Sequence, residues 1–336
     1  MNRTVPVVIL TGHLGAGKTT VLNHLLRHPG LRAGVIINDF GAINVDAALV
    51  QGQIDEVASV SGGCLCCLDD ASQLDEALDA LSHPKLALDA IIIEASGLAE
   101  PGTLARLVWL SPVTHIRLSS VVDIVDAKRH FDTVDLGGVP PRRYGVASLV
   151  VINRIDELTA QERVGQVVRI EARIRQRNPR ATIIHTRHGR IDPYLLLDTA
   201  PSTRPQQETL PLEAPGSHHA HHHARSVSVT TDHHVHPGRI ADLLESLPSG
   251  TYRLKGTFTT RHPSGRRDYV VHSVGGGISV ERHPRSAIGG ELVAIGVGMD
   301  EEETRRRMAE ALVPCDKARV TDWERLQTYI RTRRDR

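Results

Sequence analysis

Short apolar runs alternate with segments of helical periodicity over roughly the first 200 residues of the chain. Apolar runs of about four to eight residues are typical of buried strands, and apolar residues spaced about three to four apart are typical of helices. Strands are predicted at Val5–Leu10, Gly34–Ile37, Ala90–Ile93, Ile116–Val122, Ser148–Ile152 and Thr182–His185, and helices at Lys18–Arg27, Ser72–Ser82, Leu104–Leu110 and Ala160–Arg175. Strands separated by helices predict an α/β domain whose mostly parallel sheet is flanked by helices.

This alternation stops at about Thr199 and a different pattern begins near Arg225. The stretch between them is rich in Pro, Gln, Ser and His, a composition typical of a linker. Beyond it the pattern predicts a helix at Pro237–Ser246, strands at Tyr252–Thr259, Asp268–His272, Ile278–Glu281 and Leu292–Val297, and a final helix at about Glu301–Leu312. We therefore predict a first domain at residues 1–199, a His-rich linker at 200–224, and a smaller α+β domain at 225–325.

Composition narrows the class of protein. The 336 residues are 40% hydrophobic and 24% charged, which is typical of a globular protein. A net charge of +1 and an aromatic content of 3% favour neither a nucleic acid nor an anionic membrane as partner. The sequence has no apolar run near the roughly 20 residues of a membrane span, and its short N-terminal run is typical of a buried strand. We expect a cytoplasmic protein, whose close-set thiols favour metal binding or redox chemistry over disulfides.

The firmest motif is a phosphate-binding loop, Gly12-His13-Leu14-Gly15-Ala16-Gly17-Lys18-Thr19, between a predicted strand and a predicted helix. Its glycines allow the tight turn that points backbone N–H groups at phosphates. Lys18 supplies charge to the β- and γ-phosphates, Thr19 carries a hydroxyl suited to Mg²⁺, and Thr20 lies in the same helical turn. The alternative is a chance Gly-rich turn, which the flanking strand and helix disfavour.

Two further strand ends carry candidate nucleotide residues. Glu94 ends a run of isoleucines, where it could orient water or act on Mg²⁺, and Gly97 could offer its N–H to the γ-phosphate. Asn153-Arg154-Ile155-Asp156 follows another strand. Asp156 can accept hydrogen bonds from the ring N–H and amine of guanine, and Asn153 would brace the loop. The alternatives are a strand-end carboxylate that caps a turn and an ordinary Asn/Asp turn.

Cysteine and histidine are concentrated in two short segments. Three of the four cysteines stand in Cys64-Leu65-Cys66-Cys67, and thiolates suit Zn²⁺ and related ions. A redox pair or buried small residues are the alternatives for these cysteines. The predicted linker contains His218, His219, His221, His222 and His223, which could gather zinc, nickel or cobalt as auxiliary ligands. A solvated linker and an engineered tag are the alternatives for this run.

These motifs together resemble the CobW family of P-loop GTPases. The resemblance also covers Asn38-Asp39-Phe40-Gly41 with Asp46, Ser61-Gly62-Gly63 before the cysteines, and Gly250–Gly256 and Gly290–Gly296 in the second domain. It implies a Mg²⁺-dependent GTPase that binds zinc, or cobalt or nickel, and serves metal delivery, with Thr19, Asp39 and Glu94 near the Mg²⁺. Two residues depart from the family pattern, Asp39 where Glu is common and Arg154 where GTPases have Lys. A lysine lays its stem along the base, and Arg154 can stack its planar group there instead.

We therefore expect a GTP-hydrolysing metallochaperone that holds zinc or cobalt through Cys64, Cys66 and Cys67 and delivers it to a client metalloprotein. Lys18 and Glu94 are the expected catalytic residues. Neither a nucleic acid nor a membrane is expected as partner, and the sequence leaves a homodimer open. An ATP-dependent small-molecule kinase and a passive metal store are the rival hypotheses. The guanine-reading element argues against the kinase, and the intact Lys18, Thr19 and Glu94 argue against the store.

Overall fold

The computed structural model describes residues 4–29, 31–37, 57–59, 71–97, 100–196, 224–282, 288–315 and 317–330. The chain divides into two compact units, Met1–Thr199 and Ala200–Arg336. Each unit has its own hydrophobic core among the described residues.

The first unit is built on a parallel sheet. Within the described residues its strands are β1 (Val5–Gly12), β2 (Ala33–Ile37), β3 (Val57–Ser59), β4 (Ala90–Glu94), β5 (Ile116–Asp126), β6 (Leu149–Asn153) and β7 (Thr182–His185). They lie in the order β3-β2-β4-β1-β5-β6-β7, and every neighbouring pair is parallel. All eight residues of β1 and all five of β4 are buried, as expected for strands covered on both faces.

Helices connect these strands. The described ones are α1 (Lys18–Leu26), α2 (Ala71–Leu81), α3 (Pro101–Leu110), the short α4 (His130–Thr133) and α5 (Ala160–Arg177). Pro101 occupies the first turn of α3, where the missing N–H costs no helical hydrogen bond. A capping box between Thr159 and Glu162 begins α5. The predicted α/β class is confirmed, and because all of the strands run in parallel, their carboxyl ends meet at one edge.

The second unit is built on an antiparallel sheet. Its described strands are β8 (Arg225–Thr231), β9 (Thr251–His262), β10 (Gly265–Val274), β11 (Gly277–Arg282) and β12 (Gly290–Gly296), in the order β11-β10-β9-β12-β8. Its described helices are α6 (Pro237–Glu245), α7 (Glu301–Ala311) and α8 (Val320–Gln327). Leu254, Phe258, Tyr269 and Leu292 lie in one core cluster with Met308 of α7. This unit therefore has the predicted α+β architecture.

Some predicted elements differ from the observed ones. The sequence pattern missed β3 and β8, and the prediction that the helix near Glu301–Leu312 is the final one is wrong, because α8 follows it. In β8 only Val227 is fully buried among Ser and Thr residues, and in α8 only Trp323 and Leu326 are buried. Elements with so few apolar positions give too weak a periodic signal to be detected. Among the described residues, no helix is long and apolar enough to cross a membrane.

Candidate nucleotide site

The phosphate loop, residues 12–19, turns directly from β1 into α1. Gly15 and Gly17 have φ angles of 79° and 101°, in the left-handed region where a side chain is strained. Gly17 is also the N-cap of α1, and a Cβ there would collide with Nδ2 of Asn153. The glycines therefore serve both the turn and the close approach of β6, and the loop presents the N-terminus of α1 to an anion.

Lys18 lies folded back along this loop. Its side chain is buried, and its Nζ donates to the carbonyl oxygens of Gly12 at 3.2 Å and of His13 at 3.5 Å. These contacts hold the ammonium beside the first peptide of the loop, at the position from which a lysine reaches the β- and γ-phosphates. Leu14 and Thr20, both predicted to line the site, are exposed at this edge of the sheet.

The adjacent strand β4 places Glu94 under the start of α1. The Oγ1 of Thr19 donates to the Oε1 of Glu94 at 2.9 Å, although the two residues are 75 positions apart in sequence. Gly97 follows β4 and approaches the loop so closely that a Cβ on it would lie 2.7 Å from the backbone nitrogen of Leu14. The structure therefore brings Thr19, Glu94 and Gly97 together with the phosphate loop.

Asn153, the last residue of β6, connects three segments of the site. Its Nδ2 donates to the carbonyl oxygen of Ala16 in the loop at 3.0 Å, and its Oδ1 accepts from the N–H of Gly189 at 3.0 Å. Gly189 belongs to the loop after β7 and packs so closely on α1 that a Cβ on it would lie 2.9 Å from the nitrogen of Val21. Buried amide bonds of this kind fix the relative positions of the backbones that they join.

Asp156 lies in the turn after Asn153. One of its oxygens, Oδ1, is buried and makes no hydrogen bond to any part of the chain that the structure describes. Its Oδ2 lies 3.7 Å from Nδ1 of His188, a largely exposed residue in the loop after β7. A buried acceptor without a protein donor fits a ligand that supplies one.

Arg154 does not extend freely from this turn. Its Nη1 lies 3.5 Å from Oδ2 of Asp126 and 3.5 Å from Oε1 of Glu157, and about a third of its side chain is exposed. Its φ angle is 61°, so the residue also occupies the left-handed region. The side chain that sequence reasoning assigned to base stacking is therefore engaged by two carboxylates.

A buried ion pair next to the phosphate loop escaped the sequence analysis. Arg143 donates from Nε to Oδ1 of Asp123 in β5 at 3.0 Å, and from Nη2 to Oγ1 of Thr11 in β1 at 2.9 Å. Asp123 has no exposed surface, and burial raises its pKa while Arg143 opposes that rise. An aspartate within an apolar strand was the one available signal, but its arginine partner lies 20 residues away in an irregular segment.

Cationic groups crowd His13, the second residue of the loop. Burial lowers the pKa of His13, and the charges of Arg143, Lys18 and Arg129 lower it further. His13 and both arginines line one small cleft with Asp123 and His130. His130 is itself buried, and its Nε2 lies 2.5 Å from the hydroxyl of Tyr144. The cleft thus places positive charge beside the start of the loop, and that charge, together with burial, disfavours protonation of His13.

Several predicted site residues lie outside the described residues: Asp39, Cys64, Cys66, Cys67, His218, His219, His221, His222 and His223. Their roles remain predictions. Among the residues that are described, no group of three or more His, Cys, Asp or Glu side chains could hold a metal ion. His236, close after the predicted linker, caps α6 instead, because its Nδ1 accepts from the N–H groups of Gly238 and Arg239.

A parallel sheet with a glycine-rich loop leading into α1, a buried lysine and a threonine–glutamate contact defines a P-loop nucleotide-binding protein. Two family models match the chain. Residues 6–185 match the family described as CobW/HypB/UreG, nucleotide-binding domain, and residues 224–312 match the cobalamin synthesis protein cobW C-terminal domain. The chain therefore belongs to the CobW family.

Named relatives support this assignment. The zinc chaperone YjiA of Escherichia coli K12 is 31% identical over 203 residues, which cover 58% of this chain and 61% of that protein. The zinc-regulated GTPase metalloprotein activator 1 of Schizosaccharomyces pombe is 32% identical over 202 residues, 56% of this chain and 47% of that protein. A zinc chaperone CobW from Sinorhizobium sp is 28% identical over 356 residues, 92% and 97% of the two chains. The matched region thus spans less than two thirds of the first two relatives.

Proposed function

We propose that this protein hydrolyses GTP and uses nucleotide state to control the binding and delivery of zinc. The observation that carries the proposal is the contact between Thr19 and Glu94 beneath a phosphate loop that holds Lys18. A nucleotide-binding site needs no acidic residue there, whereas phosphoryl transfer to water needs a group that orients water or metal. Glu94 at the end of β4 is such a group.

The residues present fit a magnesium ion. Mg²⁺ prefers oxygen ligands, and the Thr19 hydroxyl and the Glu94 carboxylate offer oxygens 2.9 Å apart at the start of α1. When bound there, Mg²⁺ would neutralise charge on the β- and γ-phosphates. In this proposal Lys18 moves from the carbonyl oxygens of Gly12 and His13 to the phosphates, and Glu94 orients the attacking water. Asp39 stays a proposed third group near the metal.

Guanine is the proposed base. The buried Oδ1 of Asp156 has no donor among the described residues, and guanine offers a ring N–H and an amine on one edge. Adenine offers no such pair, so it would leave the carboxylate oxygen buried and unpaired, at a cost of about 1–3 kcal/mol or more for a charged group. Asn153 supports this assignment indirectly, since its two hydrogen bonds hold the turn that carries Asp156 against the phosphate loop.

Zinc is the proposed cargo. Between β3 and α2 the sequence contains three cysteines, Cys64, Cys66 and Cys67. Thiolates are soft ligands suited to zinc. The names of the relatives support zinc over cobalt or nickel. The His218–His223 run is proposed as a weaker auxiliary site, and the domain boundaries 1–199, 200–224 and 225–325 stand as part of the proposal. Client delivery, a cytoplasmic location and a homodimer are proposed with it.

Phosphate release with GTP and with ATP, each with and without zinc, tests the proposal. We expect release from GTP only, at a rate that zinc changes. Equal turnover of ATP, or phosphate transfer to a small molecule, would favour a kinase, and zinc binding without turnover would favour a passive store.

A competition titration against a chelator of known zinc affinity tests the cargo site. Zinc held tightly by the wild type should be lost in a variant with alanine at positions 64, 66 and 67, and retained after deletion of residues 218–223. Three closely spaced soft thiolates suit zinc better than a run of imidazoles does. Retention of tight zinc by the triple alanine variant would contradict the proposed ligands. Equal zinc affinity with GDP and with a non-hydrolysable GTP analogue would contradict the coupling.

A further inference from the structure

Arg143 joins residues 128–146, which lie between β5 and β6 and include α4, to the base of the phosphate loop. Its guanidinium bonds Asp123 on β5 and Thr11 on β1, and Thr11 is the residue immediately before Gly12. Only 13% of the Arg143 side chain and 1% of the Asp123 side chain are exposed. Two strands that lie side by side under the loop are thus joined by a single planar group.

The buried carboxylate of Asp123 requires a cationic partner. Asp123 has its Oδ1 on Arg143, while its Oδ2 makes no hydrogen bond within the described part of the chain. A buried carboxylate whose cation is removed is strongly destabilised, so Arg143 is tied to this position. Arginine is suited to the task because its rigid fork binds two acceptors at a fixed angle, which a lysine ammonium does not.

The backbone that carries Arg143 is itself held in place. The hydroxyl of the next residue, Tyr144, lies 2.5 Å from His130. Asn178, at the end of α5, donates to the carbonyl oxygens of Tyr144 and Ala147 at 2.9 Å each. The guanidinium is therefore presented to β1 and β5 from a fixed support and does not depend on the loop for its orientation.

The contacts of Arg143 lie at the same end of the loop as the ammonium of Lys18. The cleft that it lines is also lined by His13 and Leu14. The Nζ of Lys18, the group that reaches β- and γ-phosphates, lies on the carbonyl oxygens of Gly12 and His13 at the same end. A shift of Thr11 or Asp123 would move this part of the loop first.

We propose that Arg143 is a positioning residue that holds the start of the phosphate loop, through Thr11 and Asp123, in the geometry that accepts a γ-phosphate. The inference rests on the proposed GTPase function, since it concerns the discrimination of GTP from GDP. Loss of the Arg143 guanidinium would let Gly12 and His13 shift. The affinity for a triphosphate would then fall more than the affinity for a diphosphate.

The test compares R143M and R143K with R142M. Arg142 is a neighbouring arginine that is exposed and makes no hydrogen bond among the described residues, so R142M controls for charge loss in the same segment. Calorimetric titration measures the Kd for GDP and for a non-hydrolysable GTP analogue, steady-state turnover measures kcat and KM for GTP, and thermal melting measures Tm. T11V, which removes the hydroxyl acceptor at nearly constant volume, is the second variant if R143M does not fold.

We expect R143M to lower the affinity for the GTP analogue by about tenfold or more, which is the usual cost of losing a charged hydrogen bond. The affinity for GDP should change less. R143K should recover only part of the loss, T11V should change affinity in the same direction, and R142M should match the wild type. A fall in Tm with unchanged affinities would mean that Arg143 is structural only. An equal loss for both nucleotides would overturn the γ-phosphate assignment.

These outcomes are separable from the proposed function. Wild-type hydrolysis of GTP decides whether the protein is a GTPase. The ratio of variant to wild-type affinities decides the role of Arg143, since neither nucleotide used in the titrations is hydrolysed. If the wild type hydrolyses GTP and the Arg143 variants keep wild-type affinities, the role proposed for Arg143 is wrong and the GTPase proposal is unaffected.

Discussion

The two ends of the candidate nucleotide site differ in how deeply their side chains are buried. At the phosphate end Lys18, Asn153 and Asp123 are buried. Lys18 bonds the start of its own loop, whereas Asn153 and Asp123 have partners on other segments of the chain. At the base end Arg154, Asp156 and His188 are partly or largely exposed. Burial ties the residues proposed to bind phosphate to the integrity of the sheet, whereas the residues proposed to bind the base lie on surface turns.

This difference has a physical consequence. A change at Asn153 or Asp123 leaves buried partners that cannot turn to solvent, so it affects turnover and stability together. A change at the base end affects side chains that are partly or largely exposed, although Oδ1 of Asp156 is itself buried, so it alters the choice of nucleotide with a smaller effect on folding. The predictions below test this contrast.

The largest effect is expected for Lys18→Ala. No other residue of the loop supplies a charge to the β- and γ-phosphates, so GTP turnover should fall by about a thousandfold. The fold should persist, because α1 and β1 keep their packing. Phosphate release and circular dichroism measure the two properties, with the exposed Lys85→Ala as the control. Substantial turnover in a folded Lys18→Ala protein would contradict the role of this lysine.

The next effect concerns His130 and pH. Burial lowers the pKa of His130 to about 4 from an ordinary value of 6.5. The unfolded chain therefore takes up a proton as pH falls below 6.5, while the folded protein does not. The contribution of His130 to stability is complete above that pH and is lost as pH falls toward 4, by about 2 kcal/mol at about pH 5.

Urea denaturation at about pH 7.5 and about pH 5 measures this contribution. His130→Gln removes the titrating group but keeps a partner for Tyr144, so its stability should fall less between the two pH values than that of the wild type. His233→Gln, an exposed histidine in the other unit, should keep the wild-type dependence. Identical pH dependence in wild type and His130→Gln would show that His130 is not the group responsible.

An effect confined to nucleotide choice is expected for Asp156→Asn. An asparagine amide should lose the hydrogen bonds to the guanine ring N–H and amine, and GTP affinity should fall by about a hundredfold. Xanthosine triphosphate presents a carbonyl where guanine presents an amine, so its affinity should rise. Titration with both nucleotides and thermal melting decide the case, with the neighbouring Glu157→Gln as the control. Unchanged GTP affinity would mean that guanine is read elsewhere.

The same contrast separates what the sequence could predict from what it could not. The phosphate loop, Glu94, Asn153 and Asp156 follow strands with strong apolar runs, so the parallel sheet places them at one edge. Arg143 and its partner Asp123 carry no such local signal, because their pairing depends on the path of residues 128–146. The contacts of Arg154 could not be predicted from the sequence either. Its stacking role followed from residue type alone, but Asp126 and Glu157 compete for the same guanidinium.

The smallest effect is expected for Arg154→Met. The two carboxylates that hold Arg154 lie at 3.5 Å, and the arginine is about one third exposed, so each ion pair is worth under about 1 kcal/mol. GTP affinity should therefore fall by less than about fivefold, and Tm should hardly change. Stacking on the base would instead cost about 1–3 kcal/mol, which is a loss of about 5- to 150-fold. Titration of Arg154→Met and Arg154→Lys with GTP separates these cases. A tenfold loss in both variants would show that the guanidinium leaves its carboxylates to cover the base, and the base end would then depend on a residue that moves on binding.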